Sequence, residues 1–139
     1  ESVSICRYLE GLHPTPSLFG ETAIEQATID MWIRRIEFQL MTPVGMFWRH
    51  AHPLTAALLT QFKDFGESNR ETYGRVLSWL DRELADGRAF LAGERYSMAD
   101  IVAMTTIDFA TFTGLEIPAE TPHLHAWLER VSSRTSAAA

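Results

Sequence analysis

Two closely spaced histidine pairs are the residues in this sequence that could hold a metal ion or move a proton. His50 and His52 form the first pair, and His123 and His125 form the second. On a helix, residues two positions apart point about 200° away from each other, so neither pair can chelate one ion. No cysteine or carboxylate joins them at ligand spacing, and we predict no metal site. His50 alone could tune a thiolate or orient a water, although a solvated histidine is the simpler interpretation.

A possible pocket for an apolar molecule involves Met46, Arg49 and His50. Residues three and four apart lie on one face of a helix, so these three side chains would project together. Methionine is polarizable and adaptable, which suits a site that accepts varied apolar molecules. Core packing explains about half of the neighbouring methionine and aromatic residues equally well, so both interpretations stay open. We predict that Met46, Arg49 and His50 face a pocket.

The sequence from Ser97 to Asp100 has the spacing of a capping box in front of an apolar helix. In such a box the serine hydroxyl and the acid three residues later satisfy each other's backbone N–H groups. Tyr96 and Ile101 stand at the positions of a hydrophobic staple across the same turn. We predict a structural role for Ser97 and Asp100. As a cap alone, Asp100 would contribute roughly 0.5–2 kcal/mol to stability.

The opening residues predict a helix whose start is exposed to anions. Glu1 and Ser2 begin a short apolar–polar pattern that continues to Glu10 and stops at Gly11. The first N–H groups of a helix have no partner within the helix, so a helix N-terminus favours a bound carboxylate or phosphate. From these two residues alone, an ordinary helix start is the favoured interpretation.

Hydrophobic periodicity predicts an all-α chain, since no strand-like alternation persists. Pro43 would kink a long helix, because its ring clashes with the carbonyl of Gln39. Thr22 to Glu25 and Ser68 to Glu71 form further predicted capping boxes, and Thr121 precedes a proline at a first helical position. The predicted helices cover residues 2–10, 22–50, 54–65, 68–86, 98–114 and 121 onward.

Composition limits the classes of function. The 139 residues carry 18 acids and 12 lysines or arginines, a net charge of −6, which argues against binding nucleic acid by neutralising phosphates. An apolar content of 46% argues against disorder. The single cysteine, Cys6, excludes an intrachain disulfide framework and suits a reducing compartment, so we expect the cytoplasm. No apolar run is long enough to span a bilayer, and we predict no membrane partner.

Several of these segments resemble one family. The run from Leu91-Ala92-Gly93 through the Ser97–Asp100 box into an apolar helix resembles the folding motif in the C-terminal domain of cytosolic glutathione transferases. Residues 31–37, and Pro43-Val44 followed by Arg49-His50-Ala51-His52-Pro53, resemble its theta-like bacterial and fungal branch. Residues 1–10 look like the last helix of that family's thioredoxin-like domain. The resemblance implies three parts: residues 1–12 from that domain, a linker at 13–20, and the helical C-terminal domain at 21–139.

The resemblance also implies an activity. In the family, an acid–serine pair at the position of Glu1 and Ser2 binds the γ-glutamyl carboxylate of glutathione, the co-substrate. The part of the long helix containing Met46, Arg49 and His50 faces the electrophile. The intact protein would conjugate glutathione thiolate to hydrophobic electrophiles, as in detoxification. The residue that activates the thiol cannot be identified in this chain, so we expect residues 1–139 alone to be inactive.

Two alternative functions and an oligomeric state follow from the same resemblance. One alternative is a glutathione-dependent reductase, isomerase or dehalogenase on this scaffold. The other is a non-catalytic module for protein interactions, as the helical domain serves in some translation proteins. Family members are typically dimers, so we expect a symmetric homodimer that uses residues from about 21–38 and the preceding short helix.

Overall fold

A computed structural model describes residues 1–137 as a bundle of six α-helices, and no strand occurs in that range. The prediction of an all-α fold is confirmed. The helices are α1 (Ser2–Leu12), α2 (Ala23–Arg35), α3 (Thr42–His50), α4 (Lys63–Leu84), α5 (Met98–Phe112) and α6 (Pro122–Ser132). A π-helical segment (Ile36–Met41) joins α2 to α3, and a short 3₁₀ turn (Pro53–Thr55) follows α3.

Helix α5 lies at the centre of the bundle. It contacts α2, the π-helical segment, α3 and α6. Its residues are apolar around most of its circumference, which is typical of a helix covered on several sides. The core around it is continuous, and its largest fully buried side chains include Trp127, Tyr73, Ile33, Ile36, Leu40, Leu77, Leu80, Ile107 and Leu124.

The interruption expected at Pro43 takes the form of a π-helical segment. This segment ends at Met41, directly before the Thr42-Pro43 pair. The Thr42 hydroxyl donates to the carbonyl of Glu37 at 3.1 Å, five residues back along the chain. A wider turn accommodates the missing proline N–H and the crowding against the carbonyl of Gln39. Apolar residues within the segment still reach the core, because Ile36 and Leu40 are fully buried.

The helix prediction was wrong at residues 56–62 and at the break expected between residues 65 and 68. Residues 56–62 are non-helical, and α4 begins at Lys63, so the predicted box at Ser68 lies inside a helix. There the Ser68 hydroxyl and the Asn69 amide both donate to the carbonyl of Phe65, at 2.7 and 2.6 Å. Gly66 does not end a helix; it lies in the first turn of α4, where α4 crosses the end of α3.

Residues 17–19 are hydrogen-bonded both to α1 and to the start of α5. The Glu10 carboxylate, on α1, accepts hydrogen bonds from the Ser17 hydroxyl at 2.9 Å and from the N–H groups of Leu18 and Phe19 at 2.7 and 3.1 Å. The Met98 N–H, at the start of α5, donates to the carbonyl of Leu18 at 2.9 Å. These bonds fix α1 against the N-terminal end of the central helix.

The Thr22–Glu25 capping box forms as predicted at the start of α2. The N–H groups of Thr22 and Glu21 donate to the Glu25 carboxylate at 2.9 and 3.0 Å and hold the pKa of that carboxyl below its usual value. Arg95, from the loop before α5, pairs with Glu21 at 2.9 Å. This box is exposed to solvent, which distinguishes it from the buried one at the start of α5.

Candidate functional site

The buried carboxylate of Asp100 organises one end of the bundle. Ser97 is the N-cap of α5, Asp100 is at the N3 position, and the two form a capping box. One carboxylate oxygen accepts the Ser97 N–H at 2.9 Å and the Ser97 hydroxyl at 3.0 Å. The other accepts the Leu91 N–H and the Trp127 indole N–H, both at 2.9 Å. Asp100 therefore joins α5 to the loop before it and to α6.

A groove lies between α3 and α5. Its volume is about 320 Å³, at the small end of the range for ligand pockets. It is lined by Met41, Val44, Gly45, Thr105, Thr106 and Phe109, none of which is charged. One wall is formed by α3 together with Met41 at the end of the π-helical segment. The other wall is α5, whose start is fixed by Asp100.

Aromatic rings continue this surface along α3 and α5. The Trp48 and Phe109 ring centroids are 5.3 Å apart in an edge-to-face arrangement. Phe112 lies 6.1 Å from Phe109, and His52 lies 4.6 Å from Trp48. Phe112 is 66% exposed. Such rings offer large apolar area with a preference for other rings.

The hydroxyl groups of the two threonines in the groove already donate hydrogen bonds within α5. The Thr106 hydroxyl donates to the carbonyl of Val102 at 2.6 Å, and the Thr105 hydroxyl donates to the carbonyl of Ile101 at 2.8 Å. Each hydroxyl has one proton, so these side chains offer acceptor lone pairs but no further donor. The side chains that line the groove therefore present apolar surface and weak acceptors.

The structure places Met46, Arg49 and His50 apart from this groove. The nitrogen Nδ1 of His50 faces the N–H of Phe62 at 3.4 Å, and the His50 ring packs against the rings of Phe62 and Phe65. Arg49 is exposed, and Met46 is half-buried. The role of these three residues in an electrophile pocket stays a prediction.

Sequence reasoning did not single out Val44 and Gly45 as groove residues, although a signal for them exists. Met41, Val44, Gly45 and Trp48 follow one another at spacings of three, one and three, which places them on a single helix face. That spacing identifies the face but not whether a neighbouring helix covers it. The groove is visible only once α5 is placed beside α3.

The N-terminus of α1 has no side-chain cap within the described residues. Glu1 is the N-cap but its side chain makes no capping hydrogen bond, and Glu1 and Ser2 are both exposed. The first backbone bond of the helix runs from the N–H of Ile5 to the carbonyl of Glu1 at 3.0 Å. The N–H groups of Ser2, Val3 and Ser4 precede that bond, and none of them has a backbone partner within residues 1–137.

No group of three or more histidine, cysteine or acidic side chains is arranged to hold a metal ion within residues 1–137. Nor does that part of the chain contain a helix with the length and apolar character needed to cross a bilayer.

Comparison with known proteins assigns the chain to a family. Residues 43–135 match the family model described as "Glutathione S-transferase, C-terminal domain". The chain is 33% identical to glutathione S-transferase 2 of Saccharomyces cerevisiae over 138 residues, which cover 98% of the chain and 59% of the yeast protein. The chain belongs to the glutathione S-transferase family. The chain is also 32% identical to human glutathione S-transferase theta-2 over 71 residues, which cover 51% of the chain and 29% of the human protein.

Solved transferase structures show the same arrangement of helices. Gtt2 from Saccharomyces cerevisiae superimposes with a TM-score of 0.89 at 32% identity, covering 99% of this chain and 67% of that one. A glutathione S-transferase domain-containing protein from Marinobacter aquaeolei VT8 gives 0.87 at 35% identity with the same coverage. The resemblance to the fungal and bacterial transferases is thus confirmed. The chain spans 59% of the curated yeast relative's length.

Proposed function

We propose that the intact protein transfers glutathione to apolar electrophiles. The observation that carries the proposal is a pair of features within one transferase fold: a helix N-terminus without a side-chain cap at Glu1 and Ser2, and an uncharged groove between α3 and α5. The first offers N–H groups and a hydroxyl to the γ-glutamyl carboxylate. The second offers apolar surface to a hydrophobic co-substrate.

The chemistry needs a thiolate, because the thiolate is the nucleophile. An unperturbed thiol with a pKa of about 8.5 is mostly protonated at pH 7. The residue that lowers this pKa is not identified in residues 1–139, and we propose that another part of the intact protein supplies it. Residues 1–12 would then belong to the glutathione-binding domain, and residues 13–20 would link it to the helical domain at 21–139. A reducing compartment, the cytoplasm, suits this chemistry.

Replacing Ser2 by alanine in the intact protein tests the glutathione site. The hydroxyl would donate to a carboxylate, and a hydrogen bond to a charged group contributes about 1.5–3 kcal/mol, so the KM for glutathione should rise about tenfold or more. The KM for a chromogenic aryl halide should change much less. Both constants are measured in one conjugation assay.

Ser4→Ala is the matched control, because Ser4 lies in the same turn but points about 200° away from Ser2. It should leave both constants close to those of the wild type. Equal effects of the two substitutions would contradict the role of Ser2. An intact protein that binds glutathione but conjugates no electrophile would favour the reductase or isomerase alternative, and one that binds no glutathione would favour an interaction module.

The association state is a separate expectation. Ile24, Met31 and Phe38 are exposed by 74%, 40% and 70%, along the stretch from α2 into the π-helical segment. Burying such residues favours association. We expect the intact protein to sediment as a symmetric homodimer that uses residues 21–38 and α1. A concentration-independent monomer in sedimentation velocity would contradict this expectation.

A further inference from the structure

Gly45 occupies a position where nothing in the described structure requires glycine. It lies inside α3, and glycine is the least favourable residue after proline in a helix interior. Its φ is not positive, so no left-handed conformation demands it. A Cβ atom placed there would meet no atom within 4 Å, apart from its own helix backbone and immediate neighbours. Packing within residues 1–137 therefore gives no reason for this glycine.

The open space at Gly45 belongs to the groove. Gly45 lines it together with Val44 on α3 and Phe109 on α5. A side chain at this position would project into the groove and reduce its volume of about 320 Å³. In contrast, a Cβ at Gly66 would lie 2.6 Å from the His50 carbonyl carbon, so that glycine serves close helix packing.

The groove also limits the charge of what it can hold. Its lining side chains include no charged group, and the Thr105 and Thr106 hydroxyls donate to backbone carbonyls. A carboxylate or sulfonate placed there would lose water without gaining a donor from these side chains, which is costly. A neutral ring would instead meet the edge of Phe109 and the continuing ring of Trp48.

We propose that Gly45 is a specificity-determining residue that keeps the groove open for bulky, uncharged, ring-containing electrophiles. This inference rests on the proposed transferase function. The test reaction is displacement of chloride from an arylmethyl chloride. The glutathione sulfur forms the new bond to carbon, chloride leaves with the bonding electron pair, and the thiol proton passes to solvent.

Gly45→Leu in the intact protein tests the size limit. The kcat/KM for 1-(chloromethyl)naphthalene should fall at least tenfold, because the leucine side chain occupies the space that the rings need. The kcat/KM for iodomethane, which needs little of that space, should stay within twofold, and the KM for glutathione should not change. Equal loss with both halides would overturn the proposal.

Two further variants separate this effect from a loss of folding. Gly45→Ala should raise the melting temperature by about 2 °C, since alanine favours helix and its Cβ meets nothing. Gly74→Leu is the matched control, because Gly74 is also half-buried inside a helix with open space around its Cβ. It should leave the preference between the two halides unchanged. A lower melting temperature for Gly45→Ala would overturn the proposal by showing that another part of the protein packs against Gly45.

A binding measurement decides the proposal independently of conjugation. The unreactive 1-(hydroxymethyl)naphthalene should bind the wild type in calorimetric titration, and Gly45→Leu should weaken that binding at least tenfold. 1-Naphthoic acid, its carboxylate analogue, should bind the wild type at least tenfold more weakly than the alcohol. If the wild type conjugates no halide but shows this pattern, the transferase proposal fails and the groove assignment stands. Equal binding of the alcohol to wild type and Gly45→Leu would overturn the groove assignment.

Discussion

Replacing Asp100 by alanine is expected to remove a large part of the stability of the protein. The substitution deletes the acceptor of four hydrogen bonds and leaves the N–H groups of Leu91, Ser97 and Trp127 without that partner. Each unsatisfied buried donor costs about 1–3 kcal/mol, so the three N–H groups together predict a loss of roughly 3–9 kcal/mol. Typical domains have only about 5–15 kcal/mol in total. Urea unfolding of the intact protein, followed by tryptophan fluorescence, measures the loss.

Two other variants show whether burial and polarity set the size of this effect. Glu25→Ala breaks the exposed capping box of α2 and should cost much less, because water replaces the lost acceptor. Asp100→Asn should cause a loss of stability between those of Asp100→Ala and Glu25→Ala. Its amide oxygen can still accept from Leu91 and Trp127, but its NH₂ group then faces the Ser97 N–H. Similar losses of stability for Asp100→Ala and Glu25→Ala would contradict the buried hydrogen-bond network around Asp100.

The helix cap at Ser97 and Asp100 could be predicted from the sequence, whereas the longer-range hydrogen bonds to Asp100 could not. The spacing of Ser97 and Asp100 predicts the box because both partners lie within four residues. Leu91 is nine residues away and Trp127 is 27 residues away, and no local pattern signals that their N–H groups meet the same carboxylate. The sequence estimate of 0.5–2 kcal/mol covers only the local part of the contribution of Asp100.

The start of α6 shows the same limit. Thr121 occupies the N-cap position and Pro122 the first helical position, as predicted. Yet the Thr121 hydroxyl donates to the carbonyl of Pro118 at 2.6 Å and does not cap the helix. Asp81, on α4, accepts the Leu124 N–H at 3.0 Å in its place. The start of α6 was predictable from local residues. The acceptor for the Leu124 N–H was not, because it is a side chain of another helix.

The candidate site was harder to predict than the fold. Helical periodicity and two of the three predicted capping boxes follow from neighbouring residues, and the structure has both. The groove depends on which face of α3 is left uncovered by α4 and α5, and that depends on how closely the helices approach. His50 shows how the site depends on packing, because its ring contacts Phe62 and Phe65, and Phe62 lies in a segment that was wrongly predicted to be helical.

Gly66 controls the approach of α4 to α3, and replacing it by alanine is the second large effect expected. A Cβ there would lie 2.6 Å from the His50 carbonyl carbon, 2.7 Å from the Ala51 nitrogen and 2.8 Å from the Ala51 Cβ. Two of these atoms are backbone and cannot turn aside, so the helices must separate by on the order of 1 Å to reach normal contact. We expect a net loss of about 2–3 kcal/mol, measured by urea unfolding of the intact protein.

Gly74→Ala is the matched control, because it makes the same chemical change in the same helix. A Cβ at Gly74 would meet nothing within 4 Å, so the substitution should stabilise the protein by about 0.5–1 kcal/mol through helix propensity. The two substitutions are therefore expected to change stability in opposite directions. A change of the same sign at both positions would show that α3 and α4 do not cross at Gly66. Because α3 also carries Val44 and Gly45, Gly66→Ala should additionally alter which electrophiles the groove accepts, whereas Gly74→Ala should not.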